Sequence, residues 1–478
     1  MMTDLQAIMP ILIVTLTAIV TMVAESFQPK GERVPLGGLG LIGLTGAAIA
    51  SVLLWGRDLT GFGVMRADNF ALFIYVTLCV IGILTILFSG VVVDRERIPS
   101  GEYFALTLFG ISGMMLMAGA SDLLVIFLAL EVMSLSVYVL TGIRRSSEAG
   151  AEAAFKYFLL GAFSSAFFLY GVAFTYGVVG STRLDQVAAT LASQVSGPSV
   201  MVILALAFLL VGFAFKVSAV PFHMWTPDAY EGAPTLVTGF MSTGVKAAAF
   251  AAFIRVFLSA FEPMHGEWAP IVSALAVATM VLGTTVGVAQ GNVKRMLAYS
   301  SIAHGGYLLV GLVAANSVGK AGMLFYLASY GVTNVAAFGL MALLSTEDHP
   351  HDNVRDFAGL WYRRPTMAAA MTIFLLSLGG LPPTAGFVAK WYVFAAAVQE
   401  GYYGLAIIGV LTSVVSVYFY LRIVVMMYMS EDVAVDPAPA VPRSAMAGLA
   451  LATGAIFYLG VVPTRVINLA VQSVQGLF

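Results

Sequence analysis

Apolar stretches long enough to cross a hydrocarbon layer recur along the whole of this 478-residue chain. A helix rising 1.5 Å per residue needs about 20 such residues for a crossing. Fourteen stretches qualify: 5–24, 34–55, 70–92, 103–120, 122–142, 152–179, 200–231, 234–258, 269–289, 296–315, 319–344, 366–397, 402–428 and 443–462. Backbone polar groups in lipid must be satisfied within the segment itself, so spans of this length are helices. With 60% of residues hydrophobic and 10% charged, a soluble core is excluded. The expectation is an all-α polytopic membrane protein with about 14 transmembrane helices. The first span follows Asp4 with no positive charge before it, so it reads as a retained span rather than a secretory signal. A single cysteine, Cys79, rules out a disulfide framework and a multi-cysteine iron–sulfur or metal site. The net charge of -2, without a basic stripe, gives no footing for nucleic acid.

Charges outside the spans set an orientation. Lys and Arg favour loops after odd-numbered spans by thirteen to six, with Lys30, Arg33, Arg95, Arg144, Arg145, Lys294 and Arg295 on the richer side. The positive-inside rule places that side in the cytoplasm and both termini in the periplasm. Two spans are overlong and interrupted. The seventh contains Lys216-Val-Ser-Ala-Val-Pro221-Phe222-His223, and the twelfth contains Gly379-Gly-Leu-Pro382-Pro383-Thr-Ala-Gly386. Proline removes a backbone donor and breaks the helical ladder. Broken helices at membrane depth are tolerated where they are buried or line a wet cavity. The breaks are five spans apart, and an odd repeat reverses direction across the membrane. This predicts two inverted five-helix repeats: a three-helix segment at 1–100, helices 4–8 at 101–260, helices 9–13 at 261–430, and helix 14 within 431–478.

Well inside these spans stand Lys156, Lys216, Lys246, Lys390 and the carboxylate Glu131, whereas the span-end cations Arg255, Lys320 and Arg422 are counted with the loops. An ammonium in hydrocarbon costs about 2.5–3.5 kcal/mol on insertion scales, so such groups are functional candidates. Desolvated lysine can shed its proton, whereas arginine effectively cannot, and that choice of cation points to proton movement. Glu131 reads as a counter-charge to a lysine or as half of a structural ion pair. Lys246 lies among small and hydroxyl residues that can hold water. Trp391 and Tyr392 beside Lys390 would suit an interfacial anchor as well as a relay. Lys156 is only four residues into its span, so snorkelling to the cytoplasmic side competes with a buried role. His223 at the first break and His304 in YSSIAHGGY could bridge the lysines, since imidazole titrates near neutrality. His349 and His351 are too sparse for a metal site.

The stretches FKVSAVPFHMWTPDAYEGAPTLVTGFMSTGVKAAAF (215–250), GNVKRMLAYSSIAHGGYLLVGL (291–312) and FAGLWYRRPTMAAAMTIFLLSLGGLPPTAGFVAKWYVF (357–394) resemble the antiporter-like membrane subunits of respiratory complex I. Within that family, the chain stops after a fourteenth span where subunit L carries a long lateral helix. Lys390 stands where subunit M typically has glutamate. The resemblance implies a proton-translocating subunit of an NADH-quinone oxidoreductase. It implies that Glu131 and Lys216 form a coupling pair, that Lys246 is the central relay and that Lys390 serves the exit. His223 and His304 would wet or bridge these sites, with Lys156 an accessory. NADH, FMN, iron–sulfur clusters and quinone are then expected on partner subunits, with no cofactor on this chain. The expected partners are the other complex I membrane subunits, including homologous antiporter-like ones, and the lipid of a bacterial inner membrane. Three other readings differ in what they require. A subunit of a multi-subunit cation/proton antiporter or membrane-bound hydrogenase shares the fold and the lysines. A stand-alone solute transporter needs a substrate-sized pocket at the breaks. A scaffold needs the charges only as interhelical glue.

Overall fold

The computed structural model describes residues 2–27, 36–193, 198–346, 350–430 and 440–475. Lys30, Arg33 and His349 lie outside the described residues. A short helix α1 (Met2–Ala7) precedes α2 (Met9–Ser26) and α3 (Leu36–Leu53). A small antiparallel hairpin follows, β1 (Leu59–Gly61) with β2 (Met65–Ala67), which the apolar pattern did not announce. The spans continue with α4 (Asn69–Arg95), α5 (Ser100–Gly119), α6 (Leu123–Thr141) and α7 (Glu148–Val179). An amphipathic helix, α8 (Leu184–Ala192), leads to the seventh span. That span is two pieces, α9 (Val200–Lys216) and α10 (Trp225–Gly232).

The eighth span, Thr235–Ala260, is buried along its length except at Ser259. It comprises α11 (Thr235–Phe240), a π-helical turn Met241–Val245, α12 (Lys246–Arg255) and a second π turn Val256–Ala260. Then come α13 (His265–Val288), α14 (Val293–Ala314) and α15 (Ser317–Leu344). After the one-turn helix α16 (Leu360–Arg363), the twelfth span is again two pieces, α17 (Pro365–Gly379) and α18 (Ala385–Gln399). The chain closes with α19 (Tyr403–Met429), α20 (Arg443–Val461) and an amphipathic α21 (Thr464–Gln475). Among the described residues, twelve helices are long and apolar enough to cross a membrane, and the two interrupted spans bring the number to the fourteen expected.

Polar residues at the membrane boundaries start these helices. Asp68 accepts from Ala71 N at 2.8 Å, Asp122 from Leu124 N, Ser147 from Gly150 N, Asn292 from Arg295 N and Asn316 from Gly319 N. Each satisfies a backbone donor that a helix start leaves open. Close packing then relies on glycine. A Cβ at Gly113 would lie 2.6 Å from Met133 N, and one at Gly283 would lie 2.7 Å from Ala303 N. Adjacent helices therefore touch backbone to backbone, as in other membrane bundles.

The boundary charges sort into two groups, as alternating spans require. At one end, Asp228 of α10 pairs with Lys156 of α7 (2.9 Å) and Arg295 of α14 (3.0 Å). At the other, Arg255 grips Asp68 through both carboxylate oxygens (2.9 and 2.8 Å) and caps Ala118 O. Three cations assigned to loops by sequence are in fact buried: Arg255, Lys294 and Lys320 are 3%, 4% and 7% exposed. Their neighbours fold over the span ends, which apolar periodicity does not register.

Arg255 and Asp68 form a fully desolvated pair, so removing one partner strands a buried charge at a cost of about 3–5 kcal/mol. Arg255→Met should lower the melting temperature or yield of the assembled protein. Asp68→Asn added to it should recover much of the loss, because asparagine keeps the helix cap without the charge.

Candidate functional site

Two of the buried lysines stand beside broken helix ends, and one of them, Lys390, is seated by the carbonyls there. A helix that stops at membrane depth leaves carbonyls without amide partners and a partial negative charge, and both favour a nearby cation. Helix α17 stops at Gly380, whose φ of +81° is left-handed. Lys390, one turn into α18, folds back over this end. Its Nζ donates to Leu378 O (3.0 Å), Gly379 O (3.0 Å) and Ser413 Oγ of α19 (2.8 Å). A Cβ on Gly380 would sit 2.8 Å from Lys390 Cδ, so glycine is required for both backbone and packing. Lys216 is the last residue of α9. Its Nζ donates to Ser134 Oγ (2.8 Å) and Tyr138 Oη (3.3 Å) of α6, among the rings of Tyr138, Tyr157 and Phe215.

Lys246 follows the π turn Met241–Val245, a distortion common at functional positions. Its Nζ donates to both Ser301 O and Ser301 Oγ of α14. Gly305, on the same helix, separates the two halves of the site. A Cβ there would lie 2.9 Å from Val217 O at the first break and 3.7 Å from Lys246 Nζ. One turn along α14 from Ser301, His304 is 4% exposed and lies within the electrostatic reach of both Lys246 and Lys390. Its Nδ1 is 2.6 Å from Tyr326 Oη and its Nε2 is 3.3 Å from Tyr420 Oη, which also bonds Ser300. It borders a small cavity of about 10 Å³ also lined by Ser329, Tyr330, Thr333 and Ser377.

The three lysines share one property. Lys216, Lys246 and Lys390 are 2–5% exposed, and none forms an ion pair with a described residue. Each has a hydroxyl among its partners. A hydroxyl accepts from an ammonium and can turn to donate to an amine, so such a seat serves both protonation states.

Glu131 does not touch Lys216. It is one turn from Ser134 on α6, its Oε1 is buried without a hydrogen bond, and it makes no ion pair among the described residues. His223 lies half-buried at the first break with Nδ1 unpaired, and no hydrogen bond joins it to a lysine. Lys156 stands apart: its side chain is 43% exposed and pairs with Glu152 (2.6 Å) and Asp228. Sequence reading missed Ser134, Tyr138, Ser301, Tyr326, Ser413 and Tyr420. Hydroxyl residues are ordinary in membrane helices, and no spacing distinguishes these.

The sequence profile of the family described as NADH:quinone oxidoreductase/Mrp antiporter, TM, matches residues 120–416. NADH-quinone oxidoreductase subunit N of Trichlorobacter lovleyi is 45% identical over 475 residues, covering 99% of this chain and 97% of the relative. Subunit N of Chloroflexus aggregans is 41% identical, covering 99% and 98%. Among solved structures, a chain of respiratory complex I from Thermus thermophilus superposes with a TM-score of 0.79 at 34% identity, covering 97% of this chain and 99% of that one. A chain of the Mrp complex from a Dietzia species shares the fold, with a TM-score of 0.84 at 22% identity over 100% and 98% of the two chains. The chain belongs to the NADH:quinone oxidoreductase/Mrp antiporter membrane family and, within it, to the NADH-quinone oxidoreductase N subunits.

Proposed function

We propose that this chain is a proton-translocating subunit of a bacterial NADH-quinone oxidoreductase, and that Lys216, Lys246 and Lys390 carry the proton with His304 between the last two. The observation that supports it is the neutral seating of these lysines. Where the fold needs a permanent cation it uses Arg255, locked on the carboxylate of Asp68. Where protons are to move it offers lysines bound by hydroxyls and carbonyls. A structural glue would pair charge with charge. Redox chemistry, with NADH, FMN, iron–sulfur clusters and quinone, belongs to partner subunits, and neighbouring antiporter-like subunits deliver the coupling.

Glu131 acts as the coupling charge. It needs no contact with Lys216, because its carboxylate is one turn from the hydroxyl that Lys216 holds. A change in its charge or position alters the field on the ammonium, and in a medium of low dielectric that interaction reaches beyond contact. Protons enter near Lys216 from the cytoplasm and leave near Lys390, with both termini in the periplasm. Each works against about 2.3 kcal/mol per 100 mV of membrane potential. Lys156 anchors α10 at the surface, and His223 borders the entrance.

In assembled complexes, Lys216→Ala should abolish or strongly reduce coupled proton pumping, measured by pH-dye quenching in vesicles. Pumping at the normal rate would remove the proposal. Lys156→Gln should leave pumping within about twofold of normal, since solvent screens its exposed ion pairs. Gly305→Ala should slow pumping with assembly retained, because the new methyl group pushes Val217 O and Lys246 apart.

A further inference from the structure

Two buried hydroxyls beside Lys390 are left over by everything described above. Thr284 of α13 is 1% exposed and Tyr307 of α14 is fully buried, and neither hydroxyl makes a hydrogen bond. The pattern on α13 makes Thr284 unusual. Ser273, Thr279 and Thr285 on that helix all donate to the carbonyl four residues back, at 2.7, 2.5 and 2.8 Å. That local bond is the default for a helical hydroxyl in an apolar setting. Thr284 forgoes it. Tyr307 Oη, like those of Tyr75 and Tyr157 elsewhere in the molecule, has no partner, while its neighbours Tyr326 and Tyr420 both find one.

The two orphans share one place. The hydroxyls of Thr284, Thr412, Ser413 and Ser416 stand close enough to Tyr307 Oη to interact weakly with it, and none reaches full hydrogen-bond geometry. Its ring lies 5.1 Å from Lys390 Nζ. Thr412 and Ser416 spend their own protons on backbone carbonyls (Ile408 O, 2.8 Å; Ser413 O, 2.6 Å), which leaves oxygen lone pairs turned to the cluster. A buried unsatisfied hydroxyl costs about 1–3 kcal/mol. A water with two to four polar partners removes that cost.

We infer that Thr284 and Tyr307 hold a water molecule beside Ser413, and that this water exchanges the proton of Lys390. The inference rests on the relay reading for its role, though not for the existence of the water. An ammonium at Lys390 gives three donors to Leu378 O, Gly379 O and Ser413 Oγ. Carbonyls cannot donate in return, so only the Ser413 hydroxyl can exchange a proton. Lys390 passes one proton to Ser413 Oγ as Ser413 releases its own to the water, and the water releases one onward. Ser413 then donates to the neutral amine, whose two remaining hydrogens keep the carbonyls. Hydroxyl and water end as they began, with one proton moved. Thr284 and Tyr307 are positioning residues, since they act through the water.

An experimental map of the assembled complex, fine enough to show ordered water, should place one within hydrogen-bond distance of Tyr307 Oη and Thr284 Oγ1. A dry cluster overturns the inference. The variant Thr284→Val/Tyr307→Phe keeps shape and removes both hydroxyls. It should lose that water and slow pumping by about tenfold, the kinetic equivalent of about one good hydrogen bond, with assembly and NADH oxidation by an artificial acceptor unchanged. Pumping at the normal rate in that variant overturns the water's role. Normal pumping in Lys390→Ala would instead defeat the relay itself, with the water still visible in the map of the unaltered complex.

Discussion

Every feature of the buried centre depends on how an ammonium group is accommodated where water is scarce. A carboxylate partner would neutralise it and also fix it. Here the open end of a broken helix supplies part of the answer. Carbonyls at Leu378 and Gly379, released from the helical ladder at Gly380, face Lys390 directly. Lys216 ends its own half-helix and reaches across to α6. The second break thus helps make charge tolerable at that depth, while at the first the hydroxyls of a neighbouring helix do so.

The hydroxyls give the centre its chemistry. Ser134 and Tyr138 serve Lys216, Ser301 serves Lys246, and Ser413 serves Lys390. They come from four places in the chain, on helices α6, α14 and α19. Helix α19 carries no central charge, yet it supplies Ser413 to Lys390 and Tyr420 to His304. Arg255 and Asp68 show the alternative use of buried charge. Their two-pronged pair joins α4 to the eighth span and leaves no freedom of protonation.

Much of the architecture was legible in the sequence. The fourteen crossings follow from segment length, and both breaks follow from Pro221, Pro382 and Pro383. Lys216, Lys246 and Lys390 stand out because charge inside a long apolar run has no other ready explanation. Lys294, Lys320 and Arg255 were placed in loops because span-length counting treats a charge near an end as outside. The hairpin of β1 and β2 and the amphipathic helices α8 and α21 are too short for that count. The resemblance implied a Glu131–Lys216 coupling pair, and the partners that Lys216 Nζ touches, the hydroxyls of Ser134 and Tyr138, were not legible.

Alone, the sequence determined that the chain crosses the membrane, where it must break, and that Lys216, Lys246 and Lys390 lie deep within it, since these depend on local hydrophobicity and backbone chemistry. Only the tertiary structure decided what each cation touches. Partners such as Ser134, Ser301, Ser413, Thr284 and Tyr307 are brought together from distant helices by backbone-close packing at glycines such as Gly113, Gly283 and Gly305. A hydroxyl acquires its role from the helix across from it, and that neighbour is not encoded in the residues on either side.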